Sequence, residues 1–304
     1  MSITAFKNGA SSFGVPLAGP SITSMFGNYW FVDNTVASVI NTGKTPKTAC
    51  KTIAAAVALA STGDTIYVRG TGTDYSEVVV VTEDNISLIG VSTHPKQLGW
   101  TSITDVTCLK LEGSGCLVDG FYFRPYGATS GVAIDIGYTG ATKYGDRTTI
   151  QNNLFKSNTA TCAYAIKANG CPEYVKIYNN HFTWCGYAIY GVVIPALPAT
   201  GWEIVGNYFS DKCTNGIYLD ARRSLVAENY FNVHTKTLDL LGAGTGTFNS
   251  VARNHFGGDY ASSTGVYIAG TSDVWTGNWA SDVAQTSQVE DVSGATSVVP
   301  STAA

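Results

Sequence analysis

The sequence predicts an all-β chain wound into a right-handed parallel β-helix solenoid of about nine coils, with a short N-terminal capping helix. Three observations predict it. One phrase is said six times, as Ile150-Gln-Asn-Asn153-Leu-Phe155, Ile177-Tyr-Asn-Asn180-His-Phe182 and Ile204-Val-Gly-Asn207-Tyr-Phe209. It then recurs as Val226-Ala-Glu-Asn229-Tyr-Phe231, Val251-Ala-Arg-Asn254-His-Phe256 and Trp275-Thr-Gly-Asn278-Trp-Ala280. The asparagines stand 27, 27, 22, 25 and 24 residues apart, a period at which one supersecondary unit stacks on its neighbours. The repeated segments are β-branched and aromatic, punctuated by Gly and Asn at strand spacing, which excludes a helical repeat.

Each phrase reads as strand, one-residue corner, strand, with the asparagine at the corner because Asn tolerates left-handed geometry. Stacking then places Phe155, Phe182, Phe209, Phe231 and Phe256 in one buried column. Asn153, Asn180, Asn207, Asn229, Asn254 and Asn278 form a second column, each amide bonded to the next.

Taken in order, residues 1–27 show neither helical nor strand periodicity and carry Gly, Ser and Pro throughout, so they read as an arm. Residues 28–280 form the β-helix. Thr48 can cap a helix running to about Ala60, with Ile53, Ala56, Val57 and Ala60 on the face that plugs the open end of the coil. Coils follow at Ile66–Val68, Ile86–Val91 and Val118–Phe123, the last with Phe121 in the asparagine place and Phe123 extending the phenylalanine column. Nine coils at about 4.8 Å each make a stack of about 43 Å. Residues 281–304 are a Ser, Thr, Val and Ala tail with no repeat.

A second strand family comprises Val132-Ala-Ile134-Asp-Ile136, Tyr164-Ala-Ile166-Lys, Tyr187-Ala-Ile189-Tyr, Ile217-Tyr-Leu219-Asp, Leu238-Asp-Leu240 and Val266-Tyr-Ile268. Alternation turns its aliphatics inward and leaves Asp135, Lys167, Tyr190, Tyr218, Asp239 and Tyr267 as an outer column. Tyrosines in such a column suit a subunit interface, where Tyr is enriched, or a groove in which rings stack on sugars. His181 and His255 share a repeat position with Tyr208 and Tyr230 and read as packing residues.

Phe31-Val32-Asp33, Gly43-Lys44-Thr45-Pro46, Cys50-Lys-Thr-Ile53, the alanines to Ala60 and Gly63-Asp64-Thr65-Ile66-Tyr67-Val68 resemble the opening of the pectate-lyase-like β-helix superfamily. The resemblance covers roughly residues 29–91, implies the fold, and carries no catalytic residue. The superfamily's lyases would need a carboxylate cluster for Ca²⁺ and a base, and its hydrolases two or three carboxylates about 5–9.5 Å apart. The nearest approach is Asp220 with Arg222, Arg223, Glu228 and, one coil on, Asp239, which read as solvated ion pairs on a loop. The Asn-Thr-Asp, Asp-Asp, Gly-His-Gly and Leu-Gly-Arg-Pro-Trp phrases of its enzymes are absent. Gly72-Thr-Asp-Tyr75-Ser-Glu77 is similar to an esterase element that is structural. The expectation is no catalytic residue, no cofactor and no metal.

Charged residues are only 13% of the chain and net charge is −4, which argues against nucleic acid. No apolar run approaches the roughly 20 residues of a membrane span. The start lacks a basic stretch followed by an apolar core, so no secretory signal is expected. Seven cysteines, Cys50, Cys108, Cys116, Cys162, Cys171, Cys185 and Cys213, lack zinc-site spacing and read as buried thiols kept reduced in a cytosol. The fold is also similar to bacteriophage β-helix proteins, commonly homotrimers, which are assembled in the host cytosol and released by lysis. That resemblance implies a non-enzymatic structural or decorating virion protein, a homotrimer bound to other virion proteins through its arm. The alternatives are a spike that binds or cleaves cell-surface glycan, and a bacterial surface protein.

Overall fold

The computed structural model describes residues 10–12, 15–18, 27–37, 41–93, 97–102, 106–125, 131–137, 144–157, 162–170, 172–192, 199–210, 212–232, 236–240, 248–257, 267–268 and 273–280. Three parallel sheets of ten, nine and eight strands form a β-helix. Sheet one runs from Tyr29–Val32 to Val274–Thr276, sheet two from Tyr75–Ser76 to Trp279–Ala280, and sheet three from Val79–Val81 to Tyr267–Ile268. From Thr65 onward each coil contributes one strand to each sheet in turn, except that the last adds a described strand only to sheets one and two. Sheet two therefore counts the nine expected coils. Within the predicted arm, the backbone of Ala10–Ser12 pairs antiparallel with Val15–Ala18, outside the three sheets. The remainder of 1–26 and the whole predicted tail lie outside the described residues.

Phe123, Phe155, Phe182, Phe209, Phe231 and Phe256 are fully buried. Successive ring centroids are 5.3, 4.9, 5.0, 4.6 and 5.2 Å apart, with planes within 12° of parallel. Offset stacking at strand spacing is thus imposed by the register, which pairs Phe155 with Phe182 and Phe182 with Phe209. Trp100 continues the column at 5.3 Å from Phe123.

The asparagine ladder runs unbroken beside it. From Asn180 onward each Oδ1 accepts two bonds from the asparagine one coil earlier. Asn207 Oδ1, for example, takes the backbone N–H of Asn180 at 2.9 Å and its Nδ2 at 3.1 Å. Each Nδ2 also donates to the carbonyl of the central residue of the sheet-one strand one coil earlier, as Asn207 does to Ile177 at 2.8 Å. Phe121 takes the asparagine place, and its N–H donates to Asn153 Oδ1 at 2.9 Å.

The corner differs from expectation by one residue. Left-handed φ belongs to the residue before each ladder asparagine, namely Asn152 at 55°, Asn179 at 53°, Gly206 at 70°, Glu228 at 57°, Arg253 at 53° and Gly277 at 62°. The ladder asparagine faces the interior and keeps a conformation that returns its amide to the neighbouring coils. The exposed residue before it makes the turn. A second, shorter polar ladder was not anticipated. Ser224 N–H donates to Asn249 Oδ1 at 3.0 Å, and Asn249 N–H donates to Asp273 Oδ1 at 2.7 Å.

The cap is shorter than 48–60. Pro46–Thr48 is a 3₁₀ turn closed by a Thr45–Thr48 capping box, and the α-helix spans Ile53–Val57. Its cap is Thr52 rather than Thr48, the Thr52 side chain accepting from Ala55 N–H at 3.1 Å. Two more N-terminal amides, Ile53 and Ala54, donate to the carboxylate of Glu77 at 2.9 and 2.8 Å. Ile53 and Ala56 are buried, with Val57 and Ala60 packed against the core as expected. Burial raises the Glu77 pKa, opposed by those two amide bonds. The Tyr75 hydroxyl donates to the Arg69 carbonyl at 2.8 Å, so the Tyr75-Ser-Glu77 element is structural on both its polar ends.

Candidate interaction surface

Sheet three carries the predicted outer column. The register pairs Asp135 with Lys167, Lys167 with Tyr190, Tyr190 with Tyr218 and Tyr218 with Asp239. It then departs from expectation: Asp239 pairs with Ile268, and Tyr267 pairs with Leu238. The variable loop before the last strand sets its register, and a slip of one moves Tyr267 out of the column. The side chains of Asp239 and Tyr267 lie outside the described residues.

Strict alternation also fails here. Ala133 and Ile134, Ala165 and Ile166, and Ala188 and Ile189 are consecutive pairs with both members fully buried. The ladder pairs Tyr164 with Tyr187 and Ile166 with Ile189, passing over the alanines between. Two inward residues in succession leave the residues on either side of them, three apart, on the outer face. Tyr164 and Tyr187 thereby join Lys167, Tyr190 and Tyr218, which alternation alone did not reveal. The signal was present in the phrase Tyr-Ala-Ile, which occurs at both Tyr164 and Tyr187.

The result is a half-buried cluster of four tyrosines over three coils. Tyr190 and Tyr218 stack at 5.2 Å and 13°, and Tyr164 and Tyr187 stack at 5.5 Å and 21°. Tyr164 lies 4.7 Å from Tyr190, and Tyr187 meets Tyr190 edge-on at 4.9 Å. Lys167 Nζ stands 5.3 Å from the Tyr164 ring centroid. Burial, then the neighbouring phenols, raise the pKa values of Tyr164 and Tyr190. Each stacked pair lays one ring face on its neighbour.

Asp135 follows Lys110 in register and precedes Lys167, so its carboxyl lies between two ammonium-bearing strands. It accepts from Asn169 Nδ2 at 2.6 Å. Burial pushes its pKa up to about 6, against the pull of Lys167, Asn169 and Lys110. Lys110 was missing from the predicted column because its strand, Thr107–Leu111, precedes the repeated phrase.

The other acidic candidates do not converge. Asp220 is buried, at 1% exposure, and is not a solvated ion pair. Glu228 occupies a left-handed corner between sheets one and two, and its Oε1 accepts from Arg253 Nη2 at 2.6 Å, one coil on. The described residues hold no group of three or more His, Cys, Asp or Glu placed to bind a metal. No described helix is long and apolar enough to cross a membrane. His181 and His255 cap the Tyr208–Tyr230 stack edge-on, at 4.8 and 4.3 Å. This is packing as predicted, but on the outer face of sheet two, where Tyr208 is 39% exposed.

All six described cysteines are buried and none is in a disulfide, and Cys171 lies outside the described residues. Cys162 and Cys185 are in register on adjacent coils, with Cys213 beside Cys185. Burial, then hydrogen bonding to those two thiols, holds the Cys185 pKa well above the ordinary range.

No protein-family profile matches the sequence, and no curated protein matches it. Solved structures do. PfbA, a surface adhesin of Streptococcus pneumoniae, aligns with a TM-score of 0.53 at 15% identity, over 71% of this chain and 63% of that one. Pectate lyase Pel9A aligns at 0.49 and 15%, over 93% and 80%. The PL6 family alginate lyase AlyGC aligns at 0.45 and 17%, over 74% and 36%. At 15% identity the likeness to the adhesin shows the fold alone, a parallel β-helix. The chain spans 63% of the adhesin's length and 36% of the alginate lyase's.

Proposed function

We propose that the chain is a non-enzymatic structural or decorating protein of a tailed-bacteriophage particle, trimeric through the outer face of sheet three and anchored by its arm. The observation that carries the interface is the tyrosine cluster. A pyranose stacks on an open ring face, whereas Tyr190 and Tyr218 each have one face covered by the other ring. Half-buried, clustered tyrosines match the composition of protein interface cores. Six buried thiols outside any disulfide support synthesis in a reducing compartment, as expected of a virion protein made in a host cytosol. Light scattering of the purified chain should give about three times its 32.1 kDa mass, and Tyr190→Glu with Tyr218→Glu should reduce it to one. A monomer at micromolar concentration would overturn the trimer.

A second reading is an anionic-glycan spike, favoured by Lys110 and Lys167 on either side of Asp135. Two ammonium groups on one face could hold a uronate carboxylate. Incubation with acidic capsule should then release reducing ends or unsaturated uronides if the chain cleaves, and retain the polymer on a column if it only binds. Neither outcome is expected under the structural reading.

A further inference from the structure

Sheet three is bordered on two sides, where the chain enters it from sheet two and where it leaves for sheet one. On the leaving side, the residue two places before the sheet-one strand takes a left-handed φ. Gly63, Asn85 and Gly115 meet this demand easily, whereas Tyr174 at 57° and Phe248 at 59° do so with aromatic side chains. On the entering side, Trp184 is the single residue between Thr183 of sheet two and Cys185 of sheet three, again at 57°. The corner asks only for the φ, and a bulky side chain there presses its Cβ on the carbonyl oxygen. Tyr174 and Trp184 are 47% and 43% exposed, so burial within one chain offsets that strain only in part.

The Tyr174 ring is held in place. Arg147 Cζ stands 6.0 Å from its centroid on the coil before. On the coil after, a Cβ at Gly201 would lie 2.6 Å from Tyr174 Cδ1, so glycine there leaves room for the ring. Beside Trp184, Lys212 Nζ stands 5.9 Å from the ring centroid.

Tyr174 and Trp184 lie on opposite sides of the tyrosine cluster, in the coil that carries Tyr187 and Tyr190. The rise of one coil, about 4.8 Å, bounds their separation along the stack. A closed trimer is heterologous, each contact joining two different patches of the same chain. Rotation about an axis parallel to the stack leaves height unchanged. With sheet three toward that axis, its two edges therefore meet coil by coil. Glu173 is exposed on the Tyr174 edge and Lys212 stands on the Trp184 edge, so an acid faces a base.

We propose that Trp184 of each protomer packs against Tyr174 of the next, a second copy of this chain being the partner of both edges. The contact rests on the sheet-three trimer proposed for this chain, and it accounts for aromatic residues where the corner asks only for Gly or Asn.

The full chain carrying p-benzoylphenylalanine in place of Tyr174 tests it. Ultraviolet irradiation of mixed isotopically light and heavy chains should give covalent dimers and trimers. Mass spectrometry should map the attachment to residues 183–185 of a second chain. Tyr174→Gly and Trp184→Gly, which relieve the left-handed strain, should each weaken the trimer at least about tenfold. In the monomeric Tyr190→Glu, Tyr218→Glu background the same two changes should leave the urea midpoint unchanged or higher. A lower midpoint there, or glycine variants that assemble like the parent, would assign the rings to the fold of the single chain and overturn the contact. Crosslinks mapped elsewhere in a trimeric chain would overturn it and leave the trimer standing. A monomer without crosslinks between copies would overturn both.

Discussion

The ladder residues earn their place by two different physics. Phe209 is fully buried between Phe182 and Phe231, so Phe209→Ala should cost about 3–5 kcal/mol, read as a lower urea midpoint. Asn207→Ala removes little volume but leaves the N–H of Asn180 and the Ile177 carbonyl without their partners. It should cost about 1–3 kcal/mol by the same assay. Two titratable residues give opposite pH signatures. Burial lowers the pKa of His255, half-buried against Tyr230, and lowers that of His181 as well. The folded chain then binds fewer protons at His255 than the unfolded chain. Its contribution is full above the ordinary value of 6.5 and falls as pH drops through it. Asp135, raised from 3.8 to about 6, binds more protons when folded, so its contribution is present below 3.8 and lost as pH rises through about 6. Asp135→Asn should therefore gain stability on the parent between pH 4 and 7, checked by urea unfolding at each pH.

At the scale of elements, the short helix is held by capping rather than by its own length. Five residues cannot sustain a helix in water, and three of its N-terminal amides are satisfied by Thr52 and Glu77. Glu77→Ala should destabilise the cap by about 1–2 kcal/mol, seen as faster amide exchange at Ile53–Val57 with later coils unaffected. Sequence placed the helix correctly on its apolar face, through Ile53 and Ala56, but set its start four residues early. Thr48 and Thr52 are both plausible caps, and only the tertiary position of Glu77 distinguishes them. Sheet three teaches a related lesson. Its Ala-Ile pairs turn inward together, so a period of two misassigns Tyr164 and Tyr187.

For the whole molecule, stacking coils separates stability from length, each coil bearing only on its neighbours. Denaturation without reductant should release seven titratable thiols, six of them the buried ones described. Three disulfides would instead favour an exported protein. The six buried thiols and the sheet-three tyrosines are separate supports for the virion reading, so one test can fail without the other.

The sequence by itself determined the coil number, the phenylalanine column and the asparagine ladder, because six copies of the phrase from Ile150 to Ala280 and three earlier strands at Ile66, Ile86 and Val118 mark every coil. Those contacts join equivalent positions of successive coils, so a period is enough to find them. The tertiary structure alone decided the outer face of sheet three, the Glu77 cap and the slip that removes Tyr267 from the column. Each depends on loops of unequal length between strands, which set register without leaving a periodic trace. Lys110 and Asp135 become neighbours only when strands 25 residues apart align side by side. Asp220 looked like a surface acid until the next coil, through Ala221 and Leu240, closed over it.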